Sequence, residues 1–164
     1  MNDAAPLPDR ESALATDTKL ELKVWLRLLT CTTLIEREVR QSLREHFDTT
    51  IARFDLLSQL DRAPQGLTMG ELSSRLMVTN GNVTGLTDAL VREGLVSRAP
   101  EPDDRRSLRI RLTGAGTQFF DTMTPVHERW IDRLMTGLTR AEMAHLLELL
   151  GRLKQSLAAA GAQK

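Results

Sequence analysis

Between Thr68 and Leu112 the apolar residues change their period, and this change constrains the fold more than any other feature of the chain. Leu72 and Leu76, then Val83, Leu86, Leu90 and Val91, recur at spacings of three and four, the pattern of short amphipathic helices. From Leu95 the stretch LVSRAPEPDDRRSLRIRL alternates instead. It predicts a strand over 95–99, a proline and aspartate turn over 100–104, and a second strand over 107–112. Thr68 and Glu71 form a capping box before the first helix, Thr79 stands where it caps the next, and Glu93-Gly94 closes that one. The expected centre is two short helices joined by a tight turn, then a small hairpin that is marginal alone and must lean on them. In the second strand Leu108, Ile110 and Leu112 make the apolar face, and Arg109 and Arg111 the cationic one.

The flanks are helical. Leu22, Trp25, Leu26, Leu29, Leu34, Val39, Leu43 and Phe47 mark one apolar stripe from about Leu20 to Phe47, longer than a small domain needs for itself. A second helix, over 50–62, turns Ile51, Phe54, Leu57 and Leu60 inward and stops before Pro64 and Gly66. Beyond Thr113 come Phe119, Phe120, Met123, Val126 and Trp130, in a helix that Pro125 is expected to bend or restart. Thr139 and Glu142 then box the start of a leucine-rich terminal helix. Both chain ends offer more apolar face than the centre covers, so dimerisation through them is the economical expectation.

Length and composition exclude several classes. The 164 residues suit one domain with an assembly surface, not a two-domain enzyme. No apolar run approaches the roughly 18 to 20 residues of a membrane span, and the acidic start lacks a secretory pattern. A cytoplasmic chain without membrane contact is expected. The single cysteine, Cys31, rules out an internal disulfide scaffold and reads as a buried structural residue. His46, His127 and His145 lack ligand spacing, so no metal or other cofactor is expected. NGNVTG is no phosphate loop, having no lysine and following a helix instead of a strand. No nucleophile-base grouping emerges, and the chain is not expected to be an enzyme.

The 22 basic and 22 acidic residues cancel, which argues against unspecific coating of nucleic acid. Locally the balance differs: residues 98–111 carry five arginines against three acids, and the guanidinium fork suits phosphates and groove edges. A helix-turn-helix of this order places its second helix in a major groove, with the hairpin reaching a neighbouring minor groove. With Val83, Leu86 and Leu90 inward, the residues Thr79, Asn80, Asn82, Thr84, Gly85 and Asp88 are left for the outer face or first turn. Asparagine can pair with adenine, and unpaired helix amides at 80–82 can hold a phosphate. Glycine costs about 0.8 to 1 kcal/mol relative to alanine inside a helix, so Gly81 and Gly85 favour close backbone approach. In the turn, one of Arg105 and Arg106 would reach the minor groove or its phosphates while Asp104 pairs with Arg106 and stiffens it. Arg109 and Arg111 suit backbone contacts or ion pairs on the strand surface.

The stretch GLTMGELSSRLMVTNGNVTGLTDALVREGLVSRAPEPDDRRSLRIRLTGAG, with its DDRR turn and its exit at Leu112, Thr113 and Gly116, resembles the MarR family of winged helix-turn-helix regulators. The similarity covers about residues 20–158. It implies a mainly α fold with a small β-hairpin wing and helices from both ends making a homodimer. The layout would be an arm at 1–17, a dimerisation helix at 18–47, a DNA-binding lobe at 48–113 and dimerisation helices at 114–160. Carried over, Thr79, Asn80, Asn82 and Thr84 lie in the recognition helix, and Asp104 and Arg106 form the wing pair. Gly85 departs from the larger, often basic side chain of many relatives. Cys31 lies later than the cysteine of the peroxide-sensing branch, and tyrosine is absent, so oxidation sensing is not implied.

The resemblance also implies double-stranded DNA with a pseudo-palindromic operator as partner, and a small aromatic acid or its coenzyme A thioester as effector releasing a repressor. Trp25, Leu29, Ile51, Phe54, Phe119, Met123 and Trp130 could wall an effector cleft, with Arg27, Arg37, Arg40 and Arg44 receiving a carboxylate or phosphates. The same apolar stripes are what ordinary helix packing requires. A second function stays open at this point: a winged-fold homodimer that binds a small molecule or a protein without specific DNA binding.

Overall fold

The computed structural model describes residues 19–100 and 108–161. The chain divides into two compact units, one ending at Val126 and the other starting at His127. Helix α1, Leu20–Phe47, ends where Asp48 takes the left-handed conformation (φ 46°, ψ 41°). That single reversal returns the Asp48 and Thr49 N–H groups to the carbonyls of Arg44 and Leu43. Helix α2, Ile51–Asp61, is capped by the Thr50 hydroxyl, which accepts from the Arg53 N–H.

Strand β1 is only Leu67–Thr68, and it leads directly into α3, Met69–Leu76. The capping box forms as expected. The Glu71 N–H donates to the Thr68 hydroxyl at 3.2 Å, and the Thr68 N–H donates to the Glu71 carboxylate at 2.7 Å. Helix α4, Asn80–Arg92, follows a turn in which Met77 is left-handed (φ 54°). The Ser73 hydroxyl closes that turn by donating to the Val78 carbonyl at 2.6 Å.

Strands β2, Val96–Pro100, and β3, Leu108–Leu112, pair antiparallel with Arg98 opposite Ile110. Among the described residues the sheet has three strands in the order β1-β3-β2, not the expected two. A two-residue strand has no period to read, and its pairing of Leu67 with Ile110 is made across more than forty residues of chain. The apolar face of β3 is also uneven: Ile110 is buried and Leu112 half-buried, but Leu108 is exposed. On the other face Arg109 and Arg111 turn back to the chain. Arg109 Nη1 donates to the Gly66 carbonyl at 2.8 Å, and Arg111 Nε to the Gln65 carbonyl at 2.9 Å. They brace the turn before β1.

The core of the first unit gathers Leu43 from α1, Leu56, Leu57 and Leu60 from α2, Leu72, Val83 and Leu90 from the helical pair, and Ile110 from the sheet. Phe54 packs on Phe120 at a ring-centroid distance of 5.4 Å. Helix α5, Gly114–Leu134, holds Pro125 inside it instead of restarting there. Its start is fixed by Thr113, whose hydroxyl accepts from the Gly116 N–H at 3.0 Å and donates to the Gly94 carbonyl at 2.6 Å. Helix α6, Arg140–Gly161, opens on the Thr139/Glu142 box. Among its described residues none is buried, and Leu147 is 74% exposed. Cys31 is exposed in the single chain, contrary to the buried position expected from its apolar neighbours.

Candidate nucleic-acid interface

The first turn of α4 presents a polar and sterically open surface. Thr79 occupies the capping position with extended backbone (φ −70°, ψ 150°), yet its hydroxyl makes no capping hydrogen bond. The expectation of a side-chain cap is thereby corrected: the Thr79 carbonyl starts the helix by accepting from the Val83 N–H at 3.2 Å. Helix geometry leaves the N–H groups of Asn80, Gly81 and Asn82 without acceptors inside the helix. They lie at its positive end, where an anion is favoured.

Thr79, Asn80, Asn82, Thr84 and Gly85 are all exposed, while Val83, Thr87 and Leu90 are buried beneath them. The Thr84 hydroxyl donates to the Asn80 carbonyl at 2.9 Å, so its lone pairs and methyl group remain for an outside partner. Thr87, a polar residue missed in the sequence, is satisfied in the core by donating to the Val83 carbonyl at 2.7 Å. At Gly81 and Gly85 an added Cβ would meet no described atom within 4 Å. Neither glycine is required by packing against the described residues.

Asp88 belongs to a different group. It is half-buried and paired with Arg98 of β2 at 2.5 Å, so it does not join the outward set. Arg53 of α2 grips the carboxylate of Glu93, the residue capping the other end of α4, through both terminal nitrogens. The hairpin tip with Asp104, Arg105 and Arg106 lies outside the described residues.

A cleft of about 740 Å³ opens between the end of α1, the start of α2 and the first turns of α4. Arg40 and Arg44 stand on one side, and Gly81, Asn82 and Gly85 on the other. Thr49 lines it as well; it is buried, and its hydroxyl finds no hydrogen-bond partner among the described residues. Of the residues singled out as effector contacts, Arg40, Arg44 and Ile51 border this cleft. Phe54 and Met123 are core residues, Leu29 and Phe119 are half-buried, Trp25 is 57% exposed, and Arg37 pairs with Glu38 at 3.3 Å. Sequence spacing could not reveal the cleft, because its walls come from segments some forty residues apart.

Among the described residues no group of three or more histidine, cysteine or acidic side chains could hold a metal ion. No helix among them is long and apolar enough to cross a membrane.

Comparison with known proteins agrees with this geometry. The MarR family model matches residues 49–108. The chain is 36% identical over 116 residues to the HTH-type transcriptional regulator YkoM of Bacillus subtilis, covering 70% of this chain and 73% of that protein. A MarR family transcriptional regulator from Silicibacter pomeroyi is 31% identical, with a TM-score of 0.72 over 84% of this chain and 94% of that one. Mutant MarR from Escherichia coli complexed with operator DNA is 29% identical, with a TM-score of 0.73 over 83% and 99% of the two chains.

Proposed function

The chain belongs to the MarR family and is a DNA-binding transcriptional regulator, not an enzyme, and from that premise we propose that it is an operator-bound repressor released by a small anionic effector. The observation that carries the reading is the first turn of α4. Uncapped amides, two asparagines and two threonines face outward there, around glycines that no described atom approaches. Asn80 and Asn82 would read base edges, Thr79 and Thr84 would meet phosphates or thymine methyl groups, and Gly81 and Gly85 would let the backbone come close. Arg105 or Arg106 would enter the minor groove, with Asp104 holding the wing turn.

Two such helices, one per protomer of a symmetric dimer, would bind half-sites about one helical turn apart on a pseudo-palindrome. The effector would be a small aromatic acid or its coenzyme A thioester. Arg40 and Arg44 would receive its anionic group and the Thr49 hydroxyl a hydrogen bond; Arg37, Trp25, Leu29, Phe54, Phe119 and Met123 would shape the surroundings. Because Gly81, Asn82 and Gly85 of α4 themselves line the cleft, a ligand there would act on the helix that reads DNA. Effector and operator would then weaken each other reciprocally.

The test begins with a duplex enriched from a random pool by the full chain. Asn82→Ala and Arg106→Ala should each weaken its retention about fivefold or more, since one good base contact is worth roughly 1 to 3 kcal/mol. Unchanged retention in both variants would refute the assignment of helix and wing. A thermal-shift screen of aromatic acids and thioesters identifies stabilising ligands. A ligand that stabilises the chain without lowering duplex affinity is not an inducer.

A further inference from the structure

The two acidic side chains nearest the end of α4 are each held by an arginine from another element. Glu93 is gripped by Arg53 of α2 on both carboxylate oxygens, and Asp88 by Arg98 of β2 at 2.5 Å. Both contacts lie in the second half of α4 or at its end. The first half borders the open cleft and is anchored mainly by Val83. The orientation of its exposed residues is therefore set from the far end, as a rod is aimed from its clamp.

Of the two clamps, Asp88–Arg98 joins the recognition helix to the strand that leads into the wing. The Asp88 side chain is 49% exposed and that of Arg98 27%, and a pair so open to solvent contributes little to stability. Arg98 Nε is buried without a hydrogen-bond partner among the described residues. Such a group is costly to leave unsatisfied, and a guanidinium swung outward would recover water at that nitrogen. The Asp88 carboxylate opposes that swing. Pairing also cancels a negative charge on the helix that must approach phosphates.

We propose that Asp88 and Arg98 are positioning residues for operator recognition: their ion pair sets the recognition helix against the wing strand and keeps Arg98 from serving as an unspecific phosphate ligand. Neither side chain touches DNA in this arrangement. The inference rests on the DNA-binding assignment and adds a determinant of specificity to it.

The full chain is measured on the enriched duplex and on a scrambled duplex of equal length, across a salt series. Asp88→Asn should lower the ratio of the two affinities about three- to tenfold, the range expected when a coupled pair is broken. Its salt dependence should steepen by about one released counterion, because Arg98 becomes free to meet a phosphate. Arg98→Gln should lower the ratio similarly with no change in salt slope, and Arg98→Lys, which keeps the charge, should restore most of it. A ratio unchanged in Asp88→Asn and Arg98→Gln, with only the melting temperature reduced, would show a merely structural pair and overturn the proposal. A salt slope made shallower by about one ion in Arg98→Gln would make Arg98 a direct phosphate ligand and overturn it too. If the wild-type chain enriches no duplex at all, the DNA-binding assignment falls and this inference with it; a selective wild type with indifferent variants removes the inference alone.

Discussion

Gly116 explains why the exit from the wing is written Leu-Thr-x-x-Gly. The Thr113 hydroxyl accepts from the Gly116 N–H and donates to the Gly94 carbonyl, drawing the start of α5 onto the residue that follows α4. A Cβ at position 116 would land on the Leu95 carbonyl oxygen, a backbone atom with little freedom to yield. Gly116→Ala should therefore destabilise the chain by about 2 kcal/mol or more, as overpacking against fixed atoms does. Chemical denaturation gives the value directly, and a loss below half a kilocalorie would show that the contact relaxes. The sequence displays this glycine but not its reason, because Leu95 and Gly116 lie on different elements. The outward placement of Asn80 and Asn82 was legible from the inward period of Val83 and Leu90. The idle Thr79 hydroxyl was not: residue type predicts a cap, and the rotamer decides whether the bond forms.

The helices were the easiest elements to anticipate, since an apolar period marks each and a threonine cap opens α2, α3 and α6. The box at the start of α3 has a consequence for acid stability. The Thr68 N–H, then its hydroxyl, hold the Glu71 carboxyl below its ordinary range; slight burial opposes this, and Arg109 and Arg75 add a little. A carboxyl whose folded value is depressed stabilises the fold above the unfolded value, about 4.3, and loses that contribution as pH falls through the folded one. Glu71→Gln should accordingly be less stable than the parent at pH 7, with the difference shrinking toward zero on acidification below about 4. Melting temperatures across that range would test it, and a constant difference would mean that charge plays no part. Glu142 is depressed by its Thr139 bonds in the same sense. Strand β1 escaped the sequence reading for the opposite reason: two residues carry no pattern, and only the partner strand makes them a strand.

For the whole molecule the exposed leucines of α6 are the dominant fact. Leu146, Leu147, Leu150, Leu153 and Leu157 are all exposed in the single chain, an apolar stripe that a monomer in water rarely tolerates. A second copy covering it follows from the dimer proposed above. Leu147→Glu combined with Leu157→Glu should convert the chain to monomers by light scattering and weaken duplex retention at least tenfold, since one half-site forfeits the second contact. Dimers of unchanged stability would place the interface elsewhere. Cys31 is exposed in the single chain, which composition could not foretell. Finally, the described residues raise no steric objection to a side chain at Gly81 or Gly85, and alanine there would even favour the helix by up to about 1 kcal/mol. On the proposed assignment these positions are blank lettering on the surface that would meet the operator. A lineage, or an engineer, could write a new operator preference into them without renegotiating the fold, which makes the regulator's target easier to change than its architecture.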